Sequence, residues 1–125
     1  MPRLLEGISV KVLVCGDRHW NDAKVMQSRL DELPEDTIII EGEAPGADSM
    51  ARDYAKSHGM EFMAFPADWD GLGRKAGPIR NRQMLDEKPD LVIAFHKKLS
   101  ESKGTMDTVM EANRRGIKVE IISSS

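Results

Sequence analysis

Cysteine is almost missing from this 125-residue chain: Cys15 stands alone, so neither an internal disulfide nor a cysteine-based metal cluster can form. Set in an apolar run, Cys15 reads as a buried core thiol. The three histidines, His19, His58 and His96, lack metal-ligand spacing, so no metal is expected, and nothing calls for a resident cofactor. No apolar run approaches the roughly 18 residues that a membrane-spanning helix needs. The opening residues 1–7 hold too short an apolar stretch for a secretory signal, and Glu6 interrupts it, so the expected location is the cytoplasm. Excess positive charge is also lacking. The formal net charge is −3, which argues against bulk nucleic-acid binding, whose affinity comes from many phosphate contacts. Neither the G-x-G-x-x-G fingerprint, nor a G-x-x-x-x-G-K-[ST] loop, nor a serine nucleophile elbow occurs. No internal repeat, low-complexity segment or linker divides the chain, and residues 1–125 read as one domain.

What is there is an alternation of short β-branched runs with amphipathic stretches, the pattern of βαβ units. Residues 10–15 form the first expected strand and 16–20 its exit loop. A helix follows, capped by Asn21 or Asp22, with Val25, Met26, Leu30 and Leu33 at helical spacing before Pro34. Residues 37–41 make a second strand, apolar enough for a sheet covered on both faces. A turn at 42–46 leads into a helix from about 47 to 58, stopped by Gly59. Strand three spans 61–65, a long connection 66–77, and a helix about 78–87, with Pro78 tolerated in the first turn. Strand four is 91–95, the next helix runs from 104 or 105 to 115, and strand five is 117–122. The expected fold is α/β, a Rossmann-like three-layer sandwich with a mostly parallel five-stranded sheet and helices on both faces. Ligands of such sheets collect outside the carboxyl ends of the strands, which directs attention to loops 16–20, 42–48, 66–80 and 96–105.

Glycines stand at or just before helix starts in those loops: Gly42, Gly46 and Gly104. Helix N-termini carry unpaired amides and partial positive charge, and glycine lets a phosphate approach the backbone; a single such glycine equally serves a tight turn. Asp48 sits in its helix's first turn, where it either bonds backbone amides or faces a ligand. Residues 74–82 contain Arg74, Lys75, Arg80 and Arg82 without an acidic residue, a compact basic segment suited to a small anion. Arg80, next to Asn81, can grip phosphate bidentately. Thr105 caps its helix or donates to phosphate, and Lys103 adds charge or stays solvated. His96 follows strand four, where it serves as an acid-base group or a surface residue. Trp69, between Asp68 and Asp70, is either a stacking surface for a base or a cover for the core.

Five stretches together resemble the SLOG superfamily, and within it the YspA or cpYpsA-related branch: Val-Cys-Gly-Asp-Arg at 14–18, Gly-Glu-Ala-Pro-Gly-Ala-Asp at 42–48, Pro-Ala-Asp-Trp at 66–69, Ala-Gly-Pro-Ile-Arg-Asn-Arg-Gln-Met at 76–84 and Lys-Gly-Thr at 103–105. The resemblance spans nearly the whole chain. It implies a Rossmann-like fold and a nucleotide or nucleotide-derived ligand, such as a nucleoside phosphate, ADP-ribose or an NAD-like molecule. The ligand-contact residues it supports are Gly16, Asp17, Arg18, Gly42, Gly46, Ala47, Asp48, Trp69, Arg80, Asn81, Gly104 and Thr105. It also implies a homodimer or larger homo-oligomer.

Relatives in that superfamily, the LOG enzymes, cleave the N-glycosidic bond of a nucleoside monophosphate with a P-G-G-x-G-T-x-x-E motif whose glutamate is catalytic. Here the matching stretch is Ser-Glu-Ser-Lys-Gly-Thr-Met-Asp-Thr at 100–108, so Thr108 replaces the glutamate. Asp107 is adjacent, but one residue along a helix turns it by about 100°. Binding or sensing is therefore the leading expectation. N-glycosidic hydrolysis through a displaced acid, such as Asp17, Asp48 or Asp68, is the alternative, and a partner-binding domain with a vestigial pocket is the third reading.

Overall fold

The structure, a computed structural model, describes residues 10–98 and 102–123. The opening residues 1–7 and the motif positions Ser100 and Glu101 lie outside the described residues. In chain order the elements are β1 (Lys11–Gly16), α1 (Ala23–Leu30), β2 (Ile38–Glu41), α2 (Ala47–Ser57), β3 (Phe62–Ala64), α3 (Trp69–Leu72), a 3₁₀ turn (Gly73–Lys75), α4 (Ala76–Asp86), β4 (Leu91–Phe95), α5 (Lys103–Arg114) and β5 (Lys118–Ile122). The strands form one sheet in the order β3-β2-β1-β4-β5, and every pairing is parallel.

The central strands are buried on both faces, and their alternation splits the core in two. Val12, Val14, Ile39, Ile93 and Phe95 point to one side, where they meet Met26 and Leu30 of α1 and Ala51, Tyr54 and Ala55 of α2. Leu13, Cys15, Ile40, Val92 and Ala94 point to the other, against Met84 and Leu85 of α4 and Val109 and Ala112 of α5. Covering both faces with helices explains why these strands carry uninterrupted apolar runs. Trp20 is 3% exposed and lies beside Phe95, with ring centroids 5.5 Å apart, closing the first cluster at the end of β1.

Helix ends follow local chemistry. Asp22, not Asn21, caps α1 by accepting from the Val25 amide at 3.1 Å. Ser102 caps α5, accepting from the Thr105 amide at 3.1 Å. The long connection holds structure that the sequence pattern does not signal. Asp68 caps α3 through the Gly71 amide, and α4 starts at Ala76, two residues before the expected start, with Pro78 still inside its first turn.

The strand order places a switch point between β1 and β4. From β1 the chain crosses outward to β2 and β3, then returns past β1 to β4 and continues to β5. The connections that leave β1 and β4 therefore diverge, opening a crevice at their carboxyl ends. No helix among the described residues is long and apolar enough to cross a membrane.

Candidate functional site

A cleft of about 540 Å³ occupies that switch point. The end of β1 and its exit loop supply Cys15, Gly16, Asp17, Arg18 and His19, the end of β4 supplies His96, and the loop after β2 supplies Ala44. Asp48 enters from α2, Arg80, Asn81 and Met84 from α4, and Ser102, Lys103, Gly104, Thr105 and Thr108 from α5. Eight of the twelve expected ligand-contact residues thus line one cavity: Gly16, Asp17, Arg18, Asp48, Arg80, Asn81, Gly104 and Thr105. Gly42 and Trp69 line an adjoining cleft instead.

Gly46 and Ala47 line neither cleft. Gly46 has φ +77°, and a Cβ there would press into the carbonyls of Asp17 and Arg18. The Ala47 amide donates to the Asp17 carbonyl at 3.1 Å, and the Ser49 amide to Ala44 at 3.2 Å. The start of α2 is a seam that seats the β1 exit loop, with those two amides already engaged by protein. The start of α5 borders the cleft with Ser102, Lys103, Gly104 and Thr105.

Two carboxyl groups brace the loop after β2. Asp48 accepts from the Gly42 amide at 2.8 Å and also from the Ala44 amide; burial nevertheless raises its pKa to about 6, opposed by those bonds and by the Arg80 charge. Glu41, fully buried at the end of β2, accepts from the Glu43 amide at 2.6 Å, while its Oε2 has no hydrogen-bond partner. Burial, reinforced by the neighbouring Glu43 carboxyl, raises Glu41 to about 8, so it is held as the neutral acid near pH 7. Glu43 itself has a positive φ of 57° and pairs with Arg52 at 2.7 Å. Glu41 escaped the sequence because a strand-end carboxylate reads as exposed; the signal available was its place directly after three consecutive isoleucines, of which Ile39 and Ile40 are fully buried.

Arg80 donates through Nη1 to the Gly42 carbonyl and through Nε to Asn81 Oδ1 at 2.9 Å. Asn81 is buried and passes the link on, its amide donating to Asp107 at 3.0 Å and to the Gly104 carbonyl at 3.4 Å. One chain of hydrogen bonds thus fixes the 42–48 loop, α4 and the first turn of α5 relative to one another. Asp107 also receives Arg82 at 3.2 Å, so it is turned toward α4 and does not line the cleft. Thr108, which does line it, points its hydroxyl at the Gly104 carbonyl. At the cleft wall His96 accepts the Lys98 amide on Nδ1, which leaves Nε2 as the protonated nitrogen of the neutral ring. Burial pushes the Cys15 thiol far up, so it stays protonated. Among the described residues no group of three or more histidine, cysteine, aspartate or glutamate side chains could hold a metal ion.

The cleft therefore combines Arg18, Arg80, Lys103 and a helix start with only two acidic side chains, Asp17 and Asp48, both of which accept from backbone amides. No solved structure matches the chain at a significant level. The Gene 61 protein of Mycobacterium phage D29 is 36% identical over 118 residues, covering 87% of this chain and 93% of that protein. Residues 10–71, which run from β1 through β3 and into α3, match the family described as the YspA, cpYpsA-related SLOG family. With the site motifs in place and a full-length relative of this identity, the chain belongs to the YspA, cpYpsA-related SLOG family.

Proposed function

We propose that this protein binds a nucleotide or nucleotide-derived ligand in the switch-point cleft. The observation that carries the reading is the convergence of three separate segments, 16–19, 80–84 and 102–108, on one cavity at the carboxyl edge, where α/β sheets bind ligands. Arg80 and Arg18 offer guanidinium donors, and the first turn of α5 offers amide hydrogens and the Thr105 hydroxyl to an anionic group. Family membership supports a nucleotide-related ligand. The connection carrying Trp69 is then the contact for ribose or base.

A thermal-shift and calorimetric screen over nucleoside monophosphates, cyclic nucleotides, ADP-ribose and NAD tests this. Arg80→Ala is expected to weaken binding roughly tenfold or more, as a lost charge-assisted hydrogen bond is worth about 1.5–3 kcal/mol. Gly104→Val should block the approach to α5 as well. Binding unchanged in both variants would remove the cleft from consideration.

One observation favours hydrolysis as a second reading: the raised pKa of Asp48, a buried acid lining the cleft. Against it stands the fixed role of that carboxyl beneath Gly42 and the absence of an acid at Thr108. Release of free base from a bound nucleotide, abolished in Asp48→Asn with folding intact, would establish it.

A further inference from the structure

Among the polar side chains at the cleft, His96 is only 8% exposed and yet has a donor to spare. Its surroundings fix how that donor stands. The His96 backbone carries the β4–β5 pairing one step further, its amide donating to the Ile122 carbonyl at 2.9 Å and its carbonyl accepting from Ser123 Oγ at 3.3 Å. Alternation along β4 puts its side chain on the face of Val92 and Ala94, the side of α4 and α5, where Cys15 and Met84 also line the cleft. Nδ1 accepts from the Lys98 amide at 3.0 Å. A backbone amide can only donate, so Nδ1 holds its lone pair there and the neutral ring carries its proton on Nε2. Nε2 bonds nothing among the described residues, and the side-chain atoms sealed there without a partner are Thr37 Oγ1 and Glu41 Oε2. Nε2 therefore opens on the cleft. Asp48, Asn81 and Thr108, also buried at the cleft, spend their polar atoms on protein: Asp48 accepts from the Gly42 and Ala44 amides, Asn81 is engaged by Arg80, Asp107 and Gly104, and the Thr108 hydroxyl turns to the Gly104 carbonyl. His96 is thus not a surface residue, and in this tautomer Nε2 has no lone pair with which to act as a base.

We infer that His96 is a binding residue that selects among ligands: its Nε2–H donates to an acceptor atom, an oxygen or an unprotonated ring nitrogen, and turns away a ligand that brings an amino or ammonium group to that position. This rests on the nucleotide reading above and adds a selection to it. Arg18 and Arg80 favour negative charge, whereas the fixed donor of His96 favours a lone pair, whatever the charge of the atom that carries it. An amino group in the same place would set N–H against N–H and leave both donors unpaired in a water-poor corner, a mismatch that costs more than the mere absence of a hydrogen bond.

The test uses the full chain and two variants that divide the ring between them. Asparagine places its amide oxygen where Nδ1 stands and has nothing at Nε2; glutamine, one carbon longer, places its amide nitrogen near Nε2 and has nothing at Nδ1. AMP, cyclic AMP, ADP-ribose and NAD are the probes. For each probe that binds, His96→Asn is expected to weaken binding about tenfold while keeping the urea midpoint, and His96→Gln to stay within about threefold of the parent while lowering the midpoint. In the parent chain, labelled at its histidine nitrogens, the imidazole NMR spectrum should show the Nε2–H form for His96, with that proton moving downfield when the probe is added. A histidine that only holds the 96–98 turn gives the reverse, His96→Gln weakening binding as much as His96→Asn or more. That result, an Nδ1–H form, or binding unchanged in His96→Asn overturns the role of His96, and Arg80→Ala then decides separately whether the cleft reading stands. If none of the four probes binds, both readings fall.

Discussion

Helices α2 and α5 leave the same edge of the sheet, each with a glycine at its start, and in sequence the two starts look alike. In the fold they differ in what packs against the glycine. Gly46 is pressed between the carbonyls of the β1 exit loop and α2 and gives up the next amide to Asp17. Gly104 has nothing within 4 Å of where a Cβ would be, and it borders the cleft beside a neutral serine cap. A glycine at a helix start is thus no sign of a ligand site by itself. Room in front of it is the distinguishing property.

The contrast can be broken most severely at Gly46. Gly46→Val combines a positive φ with two backbone collisions and is expected to destabilise the fold by roughly 3 kcal/mol or more in urea titration. A loss below about 1 kcal/mol would show that the seam yields. Charge is the next distinction, since the α2 side is braced by titratable groups and α5 by Ser102. Glu41 and Asp48 both have raised pKa values in the folded chain, about 8 and about 6 against ordinary values of 4.5 and 3.8. The folded state then keeps protons that the unfolded chain has released. Their contribution to stability is complete below about pH 4 and is lost as pH rises, through about 6 for Asp48 and about 8 for Glu41. Stability in urea should therefore decline from about pH 4 to about pH 8, by a total on the order of a few kcal/mol. Glu41→Gln, which keeps the shape of the neutral acid, should flatten the upper part of that fall; an unchanged slope would place the cause elsewhere.

Ser102→Ala should cost about 1 kcal/mol through the lost cap, with no change in the pH profile. The smallest effect is expected at Gly104. Replacing a helical glycine by alanine in open space should stabilise by about 0.5–1 kcal/mol while weakening ligand binding, the opposite sign from Gly46. A destabilised Gly104→Ala would erase the distinction between the two helix starts.

Strands were legible because continuous β-branched runs such as the three isoleucines at 38–40 have one common use, a parallel sheet covered on both faces. Helix stops were legible where chemistry is local: Gly59 and Gly116 both adopt positive φ just after helices. The turn away from the cleft at Asp107 also follows from helix geometry, and its carboxylate is found on Asn81 and Arg82. α3 escaped because four residues carry no periodicity, and Asp68 announces a cap without announcing how little follows it. The status of Glu41, the seam at Gly46 and the bridge through Asn81 depend on segments distant in the chain, which no local pattern encodes. Cys15 was legible only in part: it is buried as expected, but it also forms part of the cleft wall.

The position of β1 between β2 and β4 has a kinetic consequence. Its pairing with β2 joins neighbouring parts of the chain, whereas Val12 meets Leu91 only after most of the polypeptide has been made and threaded back. Parallel pairings of that span form late, since loop closure must precede any reward from contact. The cavity lies on this last joint, so an intermediate holding only β1 to β3 has no site. A ligand that binds there recognises the finished chain alone, slowing its unfolding while leaving the early steps of folding untouched.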